Sequence, residues 1–298
     1  MPAAPQPHVV REIGRQPECW ARALALVPEV ADALPRPGER VAVLGSGTSW
    51  FMAIAYAALR EAAGFGETDA FAASEFRAAR RYDRTVVISR SGTTTEVLRA
   101  MADATSPVTA ITAVPDSPVA VAAAHPIVLA FADEESVVQT VFATTALMML
   151  RGSLGVPLDD VIAQVSDVDR IEVAAENADQ FTFLGSGWAY GVALEAGLKM
   201  REAAGVWTES YPQLEYRHGP IAIAQPGRAV WVFGTPADGI VRDIRATGAT
   251  VVADDLDPVV DLVRVQSLAV RRAQAIGLDP DRPRALTRSV VLDRGGAT

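Results

Sequence analysis

Lysine is almost missing from this chain of 298 residues: among its 27 basic residues only Lys199 is a lysine, and all the others are arginine. Arginine serves as well as lysine for a solvated surface charge. It cannot replace a compact ammonium that fits where a planar fork does not, so the one retained lysine draws attention. Cysteine is equally scarce, and the lone Cys19 excludes an internal disulfide and a cysteine-rich zinc site. There is no run of 18 or more uninterrupted apolar residues, so no transmembrane helix and no membrane partner are expected. Met1-Pro-Ala-Ala-Pro-Gln-Pro-His8 has neither a basic nor an apolar leader region, so no secretory signal is visible. Positive charge is in deficit as well. A net charge of −9 argues against a nucleic-acid partner, whose affinity rests on many cationic contacts. A small anion is still allowed, because amides at a helix N-terminus bind phosphate without global positive charge. These absences lead to the expectation of a soluble, cytoplasmic protein.

Half of the residues are apolar and 21% are charged, which describes a globular chain long enough for one large or two mid-sized domains. The stretch Val41-Ala-Val-Leu-Gly-Ser-Gly-Thr-Ser-Trp50 returns as Phe181-Thr-Phe-Leu-Gly-Ser-Gly-Trp-Ala-Tyr190. Each copy leads into an alanine-rich helical pattern ending in Arg-Glu-Ala-Ala-Gly, at Gly64 and at Gly205. So long a repeat implies two copies of one domain. Strands are expected over 40–44, 84–89, 108–113 and 126–130, with helices over 49–63, 94–104 and 137–152. The second half offers strands over 180–184, 229–234 and 249–253, and helices over 190–204 and 259–276. Alternating apolar strands and helices predict an α/β fold: two tandem domains, 30–156 and 170–298, each a parallel β-sheet flanked by helices on both faces. Pro157 and the acidic residues 159–169 stand where a linker is expected, and His8 falls in a terminal tail. Ligands of such sheets bind beyond the carboxyl ends of the strands, where the Gly-Ser-Gly turns lie.

Two motifs carry chemistry. In Val87-Ile-Ser-Arg-Ser-Gly-Thr-Thr-Thr-Glu96 a strand runs into a helix through five hydroxyl residues and one glycine. One hydroxyl would mean an ordinary helix cap. Five of them, matched by Ser46, Thr48 and Ser49 at the first Gly-Ser-Gly turn, favour a phosphate cradle. No complete Walker or dinucleotide pattern occurs, so a nucleotide is not expected. The second motif places Glu195, Lys199 and Glu202 at i, i+4 and i+7, one stripe of a helix. Such a stripe reads either as a solvated ion-pair face or as a carboxylate base beside an ammonium that stabilises an enediolate.

With Glu12-Ile-x-x-Gln-Pro17, Glu135-Ser-Val-Val-Gln-Thr140, Glu215-x-x-His-Gly-Pro220 and Asp281-Arg-Pro-Arg-x-Leu286, these motifs follow one another in an order that closely resembles the double sugar-isomerase (SIS) domain family. The resemblance is greatest to the isomerase half of glucosamine-6-phosphate synthase and to stand-alone phosphosugar isomerases and deaminases. It implies that Ser46, Thr48, Ser49, Ser89, Ser91 and Thr94 hold the phosphate of a sugar 6-phosphate. Glu202 would be the base moving a proton between C1 and C2, with Lys199 and Glu195 beside it, and Arg90, Val137, Gln139 and Arg288 would border the substrate. His218 would open the sugar ring, reaching a site on the partner subunit of a homodimer. Neither a metal nor a cofactor is implied. Three departures stand out. Arg288 replaces the tail lysine that forms an imine in the synthase, Val141 replaces another lysine, and Arg90 replaces a glutamine of the phosphate loop. Neither a glutaminase domain nor a helix-turn-helix is seen ahead of the pair, so synthase activity from glutamine is not expected. The function expected is that of an isomerase or deaminase of an aldose or amino-sugar 6-phosphate. The alternatives are a lyase dehydrating N-acetylglucosamine 6-phosphate and a non-catalytic sugar-phosphate sensor.

Overall fold

Five consecutive buried residues, Val41–Gly45 (β1), open the first sheet of the computed structural model, which describes residues 6–165 and 175–292. Arg84–Ile88 (β3) and Val108–Thr112 (β4) are likewise buried throughout, as strands covered on both faces must be. With Thr68–Ala72 (β2) and His125–Val128 (β5) they form a parallel sheet in the order β2-β1-β3-β4-β5. Gln180–Gly185 (β6), Trp207–Pro212 (β7), Arg228–Val232 (β8) and Thr250–Val252 (β9) form the second, ordered β7-β6-β8-β9 and also parallel. The helices are His8–Gly14 (α1), Gln16–Leu26 (α2), Thr48–Ala62 (α3), Thr95–Asp103 (α4), Pro118–Ala122 (α5), Val141–Ser153 (α6), Asp159–Val165 (α7), Ala189–Ala204 (α8), Ile240–Arg245 (α9) and Pro258–Ala275 (α10).

The period-2 alternation of strand side chains assigns the helices to faces. Val41, Val43, Val86 and Ile88 point to one side of the first sheet, into a core shared with α2, α3 and α6. Ala42, Leu44 and Val87 point to the other, against Val97, Ala100 and Met101 of α4 and Val119 of α5. The second sheet repeats the plan. Phe181, Phe183 and Trp231 face α8 and α10, while Leu184, Val230 and Val232 face Ile240 and Ile244 of α9. The expected architecture is therefore the one observed: two tandem units, each a parallel sheet between helical layers. Among the described residues no helix is long and apolar enough to cross a membrane.

The two units meet along α3 and α8, the helices that follow the two Gly-Ser-Gly turns. A Cβ on Gly191 would lie 2.5 Å from the Phe51 carbonyl and 2.7 Å from the Ala55 amide, so only glycine permits this approach. The helices run in opposite directions, and the contact that begins at Gly191 continues with Thr48 against Glu195 and Lys199.

Local expectations needed correction in four places. The strands β2 and β7 went unforeseen. Both are edge strands whose residues are mostly half-buried, so neither carries a continuous apolar run. Helix α6 starts at Val141, later than expected, because the buried Glu134 carboxylate accepts from the amides of Thr140 (2.5 Å), Val141 (2.8 Å) and Phe142 (3.3 Å) and sets the helix start there. The expected linker is helical over Asp159–Val165, with Val161 and Val165 buried, and its continuation together with residue 170 lies outside the described residues. His8 is no tail residue: it opens α1, where the amides of His8 and Val9 each donate to the Asp281 carboxylate at 2.8 Å.

Candidate active site

At the carboxyl end of β3 the chain turns through Ser89-Arg-Ser-Gly-Thr-Thr94 into α4. Ser89, Arg90, Ser91 and Thr94 converge with Ser46 and Ser49 from the β1–α3 turn around a cavity of about 30 Å³, closed by Gln139 and Arg288. The position is the crevice between β1 and β3 where the strand order reverses, the usual ligand position in such sheets. The reading of these hydroxyls as ordinary helix caps fails here. Thr94 stands at the N-cap of α4, yet its side chain caps no amide.

Arg90 supplies the charge under this cradle. It is 2% exposed and donates to the carbonyls of Ser136 and Arg288, each at 2.9 Å, with the Glu134 carboxylate 3.9 Å away. Burial lowers its pKa from the usual arginine value, although Glu134 opposes the shift. Among the described residues, Arg90 Nε and Gln139 Oε1 are buried without a hydrogen-bond partner. Such groups call for an explanation, and both line the cavity.

The carboxylate–ammonium stripe is no solvated face. Lys199 and Glu195 are each 1% exposed. Lys199 Nζ lies 3.3 Å from Glu195, 2.5 Å from Glu202 and 3.2 Å from Thr48 Oγ1. Burial pushes the Glu195 carboxyl up to about 7, with Lys199 working against the shift and Glu202 adding to it. For Lys199, burial favours the neutral amine, but the two carboxylates outweigh it and hold the ammonium above its usual range. Lys199 is therefore a fixed positive charge and a poor imine former. Glu202 alone of the three opens onto a groove of about 700 Å³, between the end of α8 and the tail segment carrying Arg282, Arg284 and Leu286. A carboxylate at the rim of a groove, backed by a buried ammonium, suits proton abstraction beside a carbonyl.

The cradle and the ion-pair group meet at the start of α3, where Ser49 lines the cavity and Thr48 touches Lys199. Two expected residues take other places, and His218 stands apart from its own chain's site. Thr48 does not line the cavity: its hydroxyl donates to Glu195 (3.3 Å) and accepts from Lys199, so it ties the two units together. Val137 is set back, its amide donating to the Asp281 carbonyl at 3.1 Å. His218 is exposed on a turn after β7 and lines neither the cavity nor the groove.

Known proteins resemble the chain in sequence and in fold. The chain is 31% identical to a glutamine–fructose-6-phosphate aminotransferase (isomerizing) of Methanothermobacter thermautotrophicus, over 96% of this chain and 57% of that protein. It superposes on a glucosamine-6-phosphate deaminase of Thermotoga maritima with a TM-score of 0.82 at 24% identity, covering 96% of this chain and 100% of the other. The C-terminal domain of a glucosamine-fructose-6-phosphate aminotransferase from Francisella tularensis gives 0.79 at 20% identity, over 95% of this chain and 100% of that domain. The fold is that of tandem SIS domains. No protein-family model matches the chain, and it spans little more than half the length of the aminotransferase from Methanothermobacter.

Within this SIS pair, several contributors to the site escaped sequence reasoning. Glu134 caps α6 and approaches Arg90, which requires it to be buried, a property no local pattern reveals. The tail residue Ser289 joins the cradle's hydroxyl cluster, accepting from Thr93 Oγ1 at 2.9 Å. The only signal for Ser289 was its place directly after Arg288.

Proposed function

We propose that this protein is an enzyme that removes the C2 proton of an aldose or amino-sugar 6-phosphate and isomerises or deaminates it. One observation carries the reading: the hydroxyl cradle and the Glu195–Lys199–Glu202 group join at the N-terminus of α3 through Ser49 and Thr48. A phosphate held by Ser46, Ser49, Ser89, Ser91 and Thr94, with Arg90 behind it, leaves the sugar carbons to extend toward Glu202. Glu202 then takes the C2 proton, and Lys199 balances the enediolate charge. Glu195, whose pKa lies near neutrality, lets the buried group adjust its charge by one proton as the substrate's charge changes. The names of the related aminotransferase and deaminase support an activity on phosphosugars.

His218 completes the reading as a ring-opening group supplied across a homodimer interface. Its exposure beside Leu214, which is 56% exposed on the same turn, supports a role outside its own chain. Mixing Glu202→Gln with His218→Ala, each inactive alone, is expected to restore part of the activity through hybrid dimers. An active monomer in sedimentation at assay concentration would refute the shared site.

The reaction is tested by following candidate sugar 6-phosphates by NMR in deuterated water. A ketose phosphate carrying solvent deuterium, or ammonia release from an amino sugar, is expected, and both should disappear in Glu202→Gln while binding survives. An unsaturated product would turn the reading to elimination, and the absence of turnover with bound ligand would turn it to a sensor.

A further inference from the structure

On its α4 side, donors of the cradle are already occupied, and by the same chain. Ser289 Oγ accepts hydrogen bonds from Ser91 Oγ (3.1 Å) and Thr93 Oγ1 (2.9 Å) and lies 3.5 Å from Thr94 Oγ1. The next carbonyl, of Val290, accepts from the Thr95 amide at 3.2 Å, in the first turn of α4. The Leu292 amide donates to Thr95 Oγ1 at 2.9 Å. Two oxygens of the C-terminal tail thus face a hydroxyl cluster and a free helix amide, the donor set that suits phosphate oxygens. Ser91 Oγ, Thr93 Oγ1 and the Thr95 amide are therefore closed to a ligand for as long as the tail stays in place.

We propose that Ser289 and Val290 are a tethered stand-in for phosphate oxygens, so that a phosphorylated ligand must lift the tail from α4 in order to bind. This inference rests on the cradle taking phosphate, as read above. The anchoring of the tail locates the moving part. Upstream, the Arg288 side chain bonds to the Asp133 carboxylate and the Glu134 carbonyl, and Arg90 holds the Arg288 carbonyl. Farther back, the Asp281 carboxylate accepts the amides of α1. Downstream of Arg288 the tail touches the cradle and Thr95, and Thr287 Oγ1 donates to the Ser289 carbonyl at 2.9 Å. Val290, Val291 and Leu292 are 52%, 63% and 46% exposed, so little apolar burial resists their release. Arg288 is then the fixed point about which the last residues swing. The ligand's apparent affinity is reduced by the fraction of time the tail sits in the cradle, and phosphate in turn frees the tail, because the coupling is reciprocal.

The test uses the full chain, inorganic phosphate as the probe, and the variants Ser289→Ala and Thr95→Val. Ser289→Ala removes an oxygen from the cradle. Thr95→Val removes the acceptor of the Leu292 amide and keeps the Thr95 amide. Hydrogen exchange followed by mass spectrometry should show faster exchange over residues 289–292 with saturating phosphate, together with slower exchange at the start of α4. Calorimetry should show Thr95→Val binding phosphate about three- to fivefold more tightly than wild type, the equivalent of one lost hydrogen bond, and Ser289→Ala, which loses two, at least as tightly. Slower tail exchange with phosphate, combined with weaker binding by Ser289→Ala, would make Ser289 a phosphate ligand under a closing tail and overturn the proposal. Unchanged affinity in both variants would also overturn it and leave the phosphate reading intact. No phosphate binding by any of the three proteins would bring down the phosphate reading itself, and this inference with it.

Discussion

Replacing Lys199 by methionine keeps much of the side chain's length and deletes the ammonium that bonds Glu195 and Glu202. Removing one partner of a buried ion pair costs about 3–5 kcal/mol when the other must stay charged. Glu195 has an escape, because burial already pushes its carboxyl up to about 7. Without Lys199, which works against that shift, the carboxyl moves higher still. The sign follows from linkage. A carboxyl whose folded pKa lies above its unfolded value binds more protons when folded, so stability falls as pH rises from about 4.5 toward the folded value. In wild type that decline ends near pH 7, whereas in the variant it continues. At pH 6 Glu195 is largely neutral in both proteins, and the variant loses mainly the pair with the partly open Glu202, about 1 kcal/mol. Above pH 7 the gap widens by about 1.4 kcal/mol per unit, to roughly 3 kcal/mol at pH 8.5. Urea unfolding of both proteins at pH 6.0, 7.0 and 8.5 measures it. Adding Glu195→Gln to Lys199→Met removes the titrating group and should abolish the excess slope. A gap that is equal at pH 6 and pH 8.5, or a slope that survives in the double variant, would refute this account of the buried group.

Three further outcomes follow from the same geometry. On the proposed phosphate reading, Ser91→Ala deletes a charge-assisted bond to the ligand, and also the bond to Ser289 (3.1 Å) that competes with it. The net loss of about 1 kcal/mol should weaken sugar-phosphate binding roughly fivefold by calorimetry, and undiminished affinity would remove Ser91 from the cradle. Gly92→Ala should destabilise the protein by about 2–4 kcal/mol and disrupt phosphate binding. Gly92 has φ +64°, and its Cβ would stand 2.1 Å from Ser117 Oγ, so strain and overpacking add; an unchanged urea midpoint would contradict this. Arg288→Lys places an amine in the tail, so borohydride should trap fructose 6-phosphate on the variant and not on wild type. Trapping on wild type would mean that Lys199 forms the imine despite its two carboxylates.

The repeat, the parallel α/β class and the order of the motifs were all legible in the sequence, because a strand buried on both faces must be apolar throughout and a glycine turn must be written locally. The single lysine and its two glutamates also stood out in the sequence, as did the hydroxyl loop, since helical and turn spacing alone brings those residues together. The edge strands β2 and β7 were not legible: half-burial leaves no uniform pattern, and only the neighbouring strand decides that they pair. Nor was it legible that Thr48 turns from the cradle to Lys199, because that depends on how closely α3 and α8 approach at Gly191. The occupation of the cradle by Ser289 is the most distant of these contacts, linking residues almost 200 positions apart. Local sequence determines what a segment can offer, a hydroxyl, a charge or an apolar face. Which partner receives that offer depends on packing between segments far apart in the chain, and only the folded tertiary structure decides it.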